Sequence, residues 1–281
     1  MSSQYYRHAV VIFLLAVTFL GCRKNNAPES LSFAREHIFI EKSLADILEI
    51  TDQVYNYQIN HEQIQYKLSH GKCAVIDTMG DSTYINFGAT NCLGKDDRFR
   101  RGVIKVYGST VDFLRIFATH TIKFDDFYVD NNRFSGTIEV HNLGTTISGL
   151  NYYGLTYKCI VTFSSGASTV IDWTRTRICL IGDRTSSNED NIYTYSGSGT
   201  ATRTGSEGFT GVIFNYIDAK TALESSPFCK QFEQGNVLFS LPDGNERLVD
   251  FGTTPVCAAT ANYFFSGDTA AGQKYQALDL W

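Results

Sequence analysis

The sequence predicts an all-β protein, a long antiparallel meander that forms a curled sheet, a sandwich or an open barrel, preceded by one N-terminal α-helix. Three patterns predict this fold. Apolar and polar residues alternate from about Ile59 onward, turn residues recur about every ten to fifteen positions, and one helical stripe precedes them. The chain is 43% hydrophobic and 14% aromatic, so it carries the apolar area that a folded core requires.

Residues 1–21 have the three parts of a secretory signal peptide. Arg7 and His8 form a short cationic segment, residues 9–20 are an apolar run, and Gly21 is a small residue before Cys22. The apolar run is too short to span a bilayer, which needs about 20 residues. Leu20-Gly21-Cys22 resembles the end of a bacterial lipobox, in which the cysteine is acylated and becomes the first residue. The alternatives are an ordinary signal peptide with a chance cysteine, or an uncleaved anchor.

Residues 22–30 are predicted to be a lipidated, flexible tether, because they are polar and show no periodic pattern. Two or three acyl chains on Cys22 would hold the protein stably on a membrane. In the lipoproteins that this signal resembles, an Asp after the cysteine favours the inner membrane and a nearby acidic cluster favours surface export. Arg23 follows Cys22 and no acidic cluster is near. The expected location is therefore the bacterial outer membrane, facing the periplasm.

Residues 31–58 are predicted to form the helical segment. Its apolar positions fall on one helical stripe, made by Leu44, Ile47, Leu48, Val54 and Tyr55. Ser43 and Asp46 fit an N-cap pattern, which places the start of the helix at Ser43. We expect the stripe to pack against the sheet rather than to bind a partner.

Residues 59–281 are predicted to be a single antiparallel β domain of roughly ten to thirteen strands. Leu155, Tyr157, Cys159, Val161 and Phe163 alternate with residues predicted to face outward. Turn signals separate the strands at 79–82, 130–133, 164–167, 205–208 and 242–245. A meander of this length must curl, close or fold into two layers.

The chain has seven cysteines, an odd number for an exported protein. Acylation of Cys22 leaves six, which allow fifteen connectivities. Counting outward from the turn at 242–245 places Cys229 nearly opposite Cys257, which favours a disulfide there. The same count for Cys73 and Cys92 misses by several residues, so that bridge needs a bulge or bend. Cys159 and Cys179 would then pair by elimination, although their register is also offset.

The sequence contains no zinc-protease, Cys-x-x-Cys, nucleophile-elbow or phosphate-loop pattern, so it predicts no cofactor, metal site or catalytic residue. Three weaker candidates remain. Asp125 and Asp126, with Asp130, could act as paired carboxylates on a glycan, although acidic residues beside turns are usually solvated. Arg98, Arg100 and Arg101 could grip an anion, but exposed loop charge is favoured. Tyr152, Tyr153, Trp173, Tyr193 and Tyr195 could stack on sugars, but a core role is favoured.

A net charge of −5 without a long Lys/Arg run excludes nucleic acid as an expected partner. With the lipobox, the Phe-Gly…Cys units and the segment Ile171-Asp-Trp-Thr-Arg-Thr-Arg177, the chain resembles uncharacterised lipoproteins of the Bacteroidota cell envelope. The resemblance implies a place in the envelope and no particular activity. The leading hypothesis is a non-catalytic binding or structural module with a glycan, lipid or envelope-protein ligand. The alternatives are a glycan-active hydrolase and a surface adhesin or pilin-like subunit.

Overall fold

The computed structural model describes residues 29–59, 73–108, 115–182, 190–205, 211–227, 229–242, 244–257, 259–265 and 275–279. One helix, α1, runs over Glu29–Ile59. The strands are β1 (Val75–Met79), β2 (Ser82–Asn86), β3 (Cys92–Leu93), β4 (Phe99–Tyr107), β5 (Thr119–Val129), β6 (Asn132–Thr145), β7 (Asn151–Thr162), β8 (Ser168–Ile181), β9 (Ile192–Thr204), β10 (Gly211–Ile217), β11 (Leu223–Ser225), β12 (Asn236–Ser240), β13 (Glu246–Asp250), β14 (Thr260–Phe265) and β15 (Tyr275–Asp279).

All of these strands belong to one antiparallel sheet that follows the order of the chain. The path runs from β1 to β15, with β3 paired beside β4 and β11 paired beside β9. The sheet is curled but not closed, so the prediction of an all-β meander after one helix is confirmed, and its curled-sheet form is the one adopted.

The strand pattern read from the sequence is confirmed along the hairpin that joins β7 to β8. Leu155, Tyr157, Cys159 and Val161 are all buried, and Thr156, Lys158 and Ile160 between them face outward. The turn before β6 is equally regular, since Asp130 and Asn131 have φ values of 48° and 66°. Asp and Asn tolerate this left-handed conformation, which a tight two-residue hairpin requires.

Helix α1 lies against the concave face of the sheet and is buried on several sides. The four consecutive residues Ile47, Leu48, Glu49 and Ile50 are each at most 2% exposed, although successive residues of a helix point about 100° apart. The predicted start at Ser43 is wrong, because Ser43 is a buried residue in the middle of the helix. The range 31–58 is close to the observed Glu29–Ile59. The single apolar stripe underestimated the burial because charged residues on the other faces are buried as well.

The ends of α1 lie over different parts of the sheet. The ring of Phe33 is 5.3 Å from that of Phe239 on β12. At the other end, the ring of Tyr55 is 5.6 Å from that of His120 on β5. The helix therefore crosses the strands and fills the concave side. Within the described part of the chain, no helix combines the length and apolarity that crossing a bilayer requires.

Candidate functional site

The interface between α1 and the sheet contains a layer of buried arginines. They come from the sheet and from the loop before β4: Arg98, Arg100, Arg175, Arg177 and Arg203. Alternation along β8 explains two of them. Ile171 and Trp173 point into the core, and residues two and four positions after Trp173 share its face, so Arg175 and Arg177 also point inward.

The carboxylates that face these arginines come mainly from α1. Near its start, Glu36 receives two hydrogen bonds from Arg203 on β9, at 2.6 Å from Nε and 2.9 Å from Nη2. A cavity of about 10 Å³ beside this pair has room for about one water molecule. The paired, planar geometry is the one in which arginine binds a carboxylate most specifically.

Five residues later, Glu41 contacts Arg175 in the interior. Nη2 of Arg175 lies 2.5 Å from Oε1 of Glu41 and 2.5 Å from Oδ1 of Asn215. The guanidinium also lies over the Trp173 ring, at 4.8 Å from its centroid. His37 completes this group, with its Nε2 3.6 Å from Oε1 of Glu41.

The protonation states of this group follow from burial and charge. Burial opposes ionisation of Glu41, but Arg175 and His37 outweigh it and lower the pKa of Glu41. Burial lowers the pKa of His37, although Glu41 acts in the opposite direction. Glu41 is thus an anion and His37 a neutral imidazole near neutral pH.

The middle of α1 contributes Asp46 to the densest part of the layer. Asp46 accepts from Lys42 one turn before it, and its Oδ2 lies 3.3 Å from Arg100 and 3.7 Å from Arg98. Arg100 also forms two hydrogen bonds with Asp96, at 2.9 and 2.6 Å. All these side chains are buried, so the cations are balanced by carboxylates rather than by water.

Near the end of α1, Asp52 accepts from Arg177 at 2.7 Å. The guanidinium of Arg177 lies over the Tyr193 ring, 3.5 Å from its centroid, and 5.8 Å from that of Tyr195. The neighbouring carboxylate and the ring faces together stabilise a cation that is 1% exposed.

Glu49 is a further buried carboxyl group of α1. It is 2% exposed, and Oγ of Ser225 on β11 donates to its Oε1 at 2.9 Å. Burial raises the pKa of Glu49 to about 7, against the opposing attraction of Lys42. Glu49 therefore changes its charge near neutral pH.

We call the five buried arginines and the carboxylates that bind them the charged layer. The sequence analysis singled out Arg98 and Arg100 but predicted them to be exposed, and it did not identify the other arginines or their carboxylate partners. Arg98 and Arg100 are 0% exposed and bind carboxylates in the interior, so they are not exposed loop charge. Arg101 points outward, with its guanidinium 3.8 Å from the centroid of the Tyr128 ring. Arg175, Arg177 and Arg203 lie an even number of residues from buried apolar neighbours on the same strand, so strand alternation places them on the inner face. This was the signal in the sequence, although arginine is usually exposed.

The carboxylates considered for glycan chemistry lie in three separate ionic contacts. Asp125 pairs with Lys105 at 2.7 Å and Asp126 with Arg133 at 2.9 Å, both on the exposed side of the sheet. Asp130 accepts from Arg98 and from the backbone N–H of Phe99. Each carboxylate is thus engaged by its own donors. The structure does not bring the three into one cleft.

Two of the predicted disulfides are confirmed. Cys229 and Cys257 are bonded with a Cα–Cα distance of 5.1 Å, and Cys73 and Cys92 with one of 5.9 Å. Continuing the β12–β13 register, in which Asn236 is opposite Asp250, brings Cys229 opposite Cys257. Cys92 lies on β3, after a bend that follows β2. The bend brings Cys92 next to Cys73 although the β1–β2 register alone would place the two several residues apart.

The third predicted disulfide does not form. Cys159 lies opposite Ile171 in the β7–β8 pair, whereas Cys179 lies opposite Tyr193 in the β8–β9 pair. The two thiols are therefore far apart along the strands, and no disulfide joins them. Each donates to a backbone carbonyl, Cys159 to Thr137 and Cys179 to Ile181. Burial raises the pKa of Cys159 to about 12, which makes it a poor nucleophile.

The predicted aromatic residues lie mainly in the core. Tyr153, Trp173, Tyr193 and Tyr195 are buried, which confirms the core role favoured for them, whereas Tyr152 is partly exposed. The described residues include one group with metal-ligand geometry, Cys229, Glu233 and Cys257, with ligand atoms within 4.8 Å of one another. Both of its sulfurs are already joined in a disulfide. Cys22 lies outside the described residues.

The described geometry defines a class of architecture: a curled antiparallel meander whose concave side is filled by one helix, with arginines of the sheet paired to carboxylates of the helix. Comparison of the chain with protein-family models, with curated proteins and with solved structures finds no match.

Proposed function

We propose that the protein is a lipoprotein of the bacterial outer membrane, that Cys22 carries its lipid, and that the β domain is a non-catalytic binding or structural module facing the periplasm. The observation that carries the proposal is the position of α1. Only residues 23–28 separate Cys22 from the first residue of this helix. A lipid anchor on Cys22 would therefore pull on a helix whose residues from Ile38 to Tyr55 are almost all buried.

The charged layer suits α1 to this task. Arg203, Arg175, Arg100 and Arg177 each grip a carboxylate of the helix, at successive points from near its start to near its end. Removing one partner from a buried pair of this kind costs roughly 3–5 kcal/mol. The helix is thus held along its length, as the attachment point of a tethered domain must be.

The same contacts favour a non-catalytic role over glycan hydrolysis. Glu36, Glu41, Asp46 and Asp52 are engaged by arginines, and Asp125, Asp126 and Asp130 lie in separate ionic contacts. A glycan hydrolase needs two carboxyl groups that flank one bond. A glycan, lipid or envelope protein is the expected class of ligand. It would bind the outer surface of the sheet, because α1 covers the inner one.

Fatty-acid labelling of cells that express the full chain tests the anchor. We expect label on the wild-type protein and none on Cys22→Ser, which should appear as a soluble protein. Label retained by Cys22→Ser would refute acylation at that residue. Protease added to intact cells should leave a periplasm-facing domain uncut, whereas degradation would indicate the surface adhesin or pilin-like alternative.

Incubation of the soluble Cys22→Ser chain with envelope glycans and lipids tests the absence of catalysis. We expect retention of a ligand without turnover. Release of sugars that is lost in Asp125→Asn or Asp126→Asn would establish the hydrolase alternative instead.

A further inference from the structure

The convex face of the sheet carries a group of exposed apolar side chains on two neighbouring rows, with Thr202 among them. Ile160 on β7 is opposite Val170 on β8, Val170 is opposite Thr202 on β9, and Thr202 is opposite Val212 on β10. Ile160, Val170 and Val212 are 42%, 45% and 52% exposed. Phe214, two residues further along the same face of β10, is 45% exposed. We call Ile160, Val170, Val212 and Phe214 the outer strip.

The outer strip differs from the neighbouring rows of the same face. The row that contains Thr156, Thr174 and Ser198 presents hydroxyl groups on the same three strands, β7 to β9. On the other side of the strip, Oγ of Ser168 and Oγ1 of Thr204 lie 2.8 Å apart in a hydrogen bond. Between the strip and the Thr156 row lie Lys158, Asp172 and Thr200, on the same row as Phe214. The exposed apolar side chains are therefore a local feature bordered by polar residues rather than a general property of the surface.

The outer strip lies at the end of the sheet where α1 begins. Val170 and Thr202 are next in sequence to Thr169 and Arg203, which point to the concave side. Arg203 binds Glu36, in the second turn of α1. The start of the helix and the outer strip therefore lie on opposite faces of the sheet, at the same end of strands β8 and β9.

The chain before α1 limits how far this end of the strands can lie from a lipid on Cys22. Residues 23–28 separate Cys22 from Glu29, and an extended residue spans at most about 3.5 Å, so Cys22 lies within about 25 Å of the first helical residue. The outer strip lies within the first few residues of β8 and β10, roughly 10 Å from the ends of these strands. A bilayer that holds the acyl chains is thus within reach of the strip.

We propose that the outer strip rests on the lipid surface to which Cys22 is anchored, and so sets the orientation of the β domain on the membrane. This inference rests on the proposed function for its lipid anchor. The contact is apolar in character. Lys158 and Asp172, the charged pair beside the strip, are register partners of opposite sign and compensate each other. The contact therefore forms on zwitterionic lipid and is insensitive to salt.

The test uses the acylated full-length protein in phosphatidylcholine vesicles. A polarity-sensitive thiol dye is attached at Val212→Cys on the strip or at Thr174→Cys on the hydroxyl row. The parent protein without either substitution gives the background labelling, because Cys159 and Cys179 are buried. We expect the emission of the Val212→Cys dye to shift to the blue on reconstitution and to be quenched by lipid-borne quenchers, while the Thr174→Cys dye stays accessible to aqueous iodide.

Equal iodide access at both positions of the acylated protein would overturn the inference and leave the proposed function intact. Absence of fatty acid on Cys22 would instead refute the anchor. In that event, flotation of the soluble Cys22→Ser chain with the same vesicles decides the role of the strip, and the inference predicts a several-fold loss of flotation in Val170→Ser/Val212→Ser/Phe214→Ser. A dimer of the soluble chain that this triple variant abolishes would identify a second copy as the occupant, and would also overturn the inference.

Discussion

Arg175 and Glu41 meet in the interior of the protein, where Nη2 of the arginine lies 2.5 Å from Oε1 of the glutamate and both side chains are almost fully buried. The pair joins the middle of β8 to the first half of α1. Each group has given up its hydration, so the stability of the fold depends on both partners being present.

Glu41→Gln is expected to lower the free energy of unfolding of the soluble Cys22→Ser chain by roughly 3–5 kcal/mol, because it leaves Arg175 charged and buried with only neutral acceptors. The double variant Glu41→Met/Arg175→Met should recover most of the loss, since it removes both charges. Urea denaturation monitored by circular dichroism measures the three proteins.

The matched control for this prediction is Asp126→Asn, which breaks the exposed pair with Arg133. We expect its urea midpoint to equal that of the parent, because exposed pairs contribute little. A double Met variant that is as unstable as Glu41→Gln would show that the loss comes from packing rather than from an uncompensated charge.

Glu49 should make the protein less stable as the pH rises toward neutrality. Its folded pKa of about 7 lies above the ordinary value of 4.5, so the folded state binds an extra proton between these limits. The contribution of this proton to stability is fully present below about pH 4.5 and is lost as the pH rises through about 7. Glu49→Gln keeps an acceptor for Ser225 and removes the buried charge.

The variant Glu49→Gln is therefore expected to unfold at higher urea concentrations than the parent at pH 8, by a free energy on the order of 3 kcal/mol, and to match the parent at pH 4.5. Unfolding curves of both proteins across this range give the difference. The subtraction cancels the other titrating groups, including Glu41 and His37, whose lowered pKa values act in the opposite direction. A difference independent of pH would refute the assignment.

The sequence predicted the strand pattern because the strands carry local signals. Alternation fixed the inner face of β7, and the turn residues at 130–133 fixed one hairpin. Counting from the turn at 242–245 located the Cys229–Cys257 bridge, since the register of a hairpin propagates from its turn. The start of α1 was misplaced at Ser43, because burial of charged residues hid the helical pattern that continues from residue 29 to residue 42.

The charged layer could not be predicted in the same way. Arg175 and Glu41 are 134 residues apart in the chain, and neither residue alone indicates its partner. The phase of Arg175 and Arg177 with Trp173 pointed to the concave face, but arginine is usually exposed and its long side chain can reach the surface from a half-buried position. For Arg175 and Arg177, the carboxylates that compensate the buried charge come from Glu41 and Asp52, so they depend on the position of α1 against the sheet.

The cysteine assignment predicts the thiol chemistry of the soluble Cys22→Ser chain. Two disulfides and two buried thiols, Cys159 and Cys179, account for its six cysteines. We expect almost no reaction with a thiol reagent in native buffer and two thiols per chain in denaturant without reductant. Peptide mapping should place both modifications at Cys159 and Cys179. No reactive thiol in denaturant would show that these two are bonded after all.

Gly199 lies so close to Trp173 that the strand pair β8–β9 requires a glycine there. A Cβ at position 199 would be 2.5 Å from Cδ1 of Trp173 and 2.5 Å from the backbone oxygen of Asp172, closer than real contacts allow. Trp173 is itself 0% exposed and lies beside His37 and Arg175, so it has little room to move. Gly199→Ala is therefore expected to destabilise the protein by roughly 1–3 kcal/mol and to change the near-UV circular dichroism of the tryptophan. Ser198→Ala, one residue away on the outer face, should change neither quantity. If Gly199→Ala behaved like this control, the packing of Trp173 against β9 would be looser than the contacts described above.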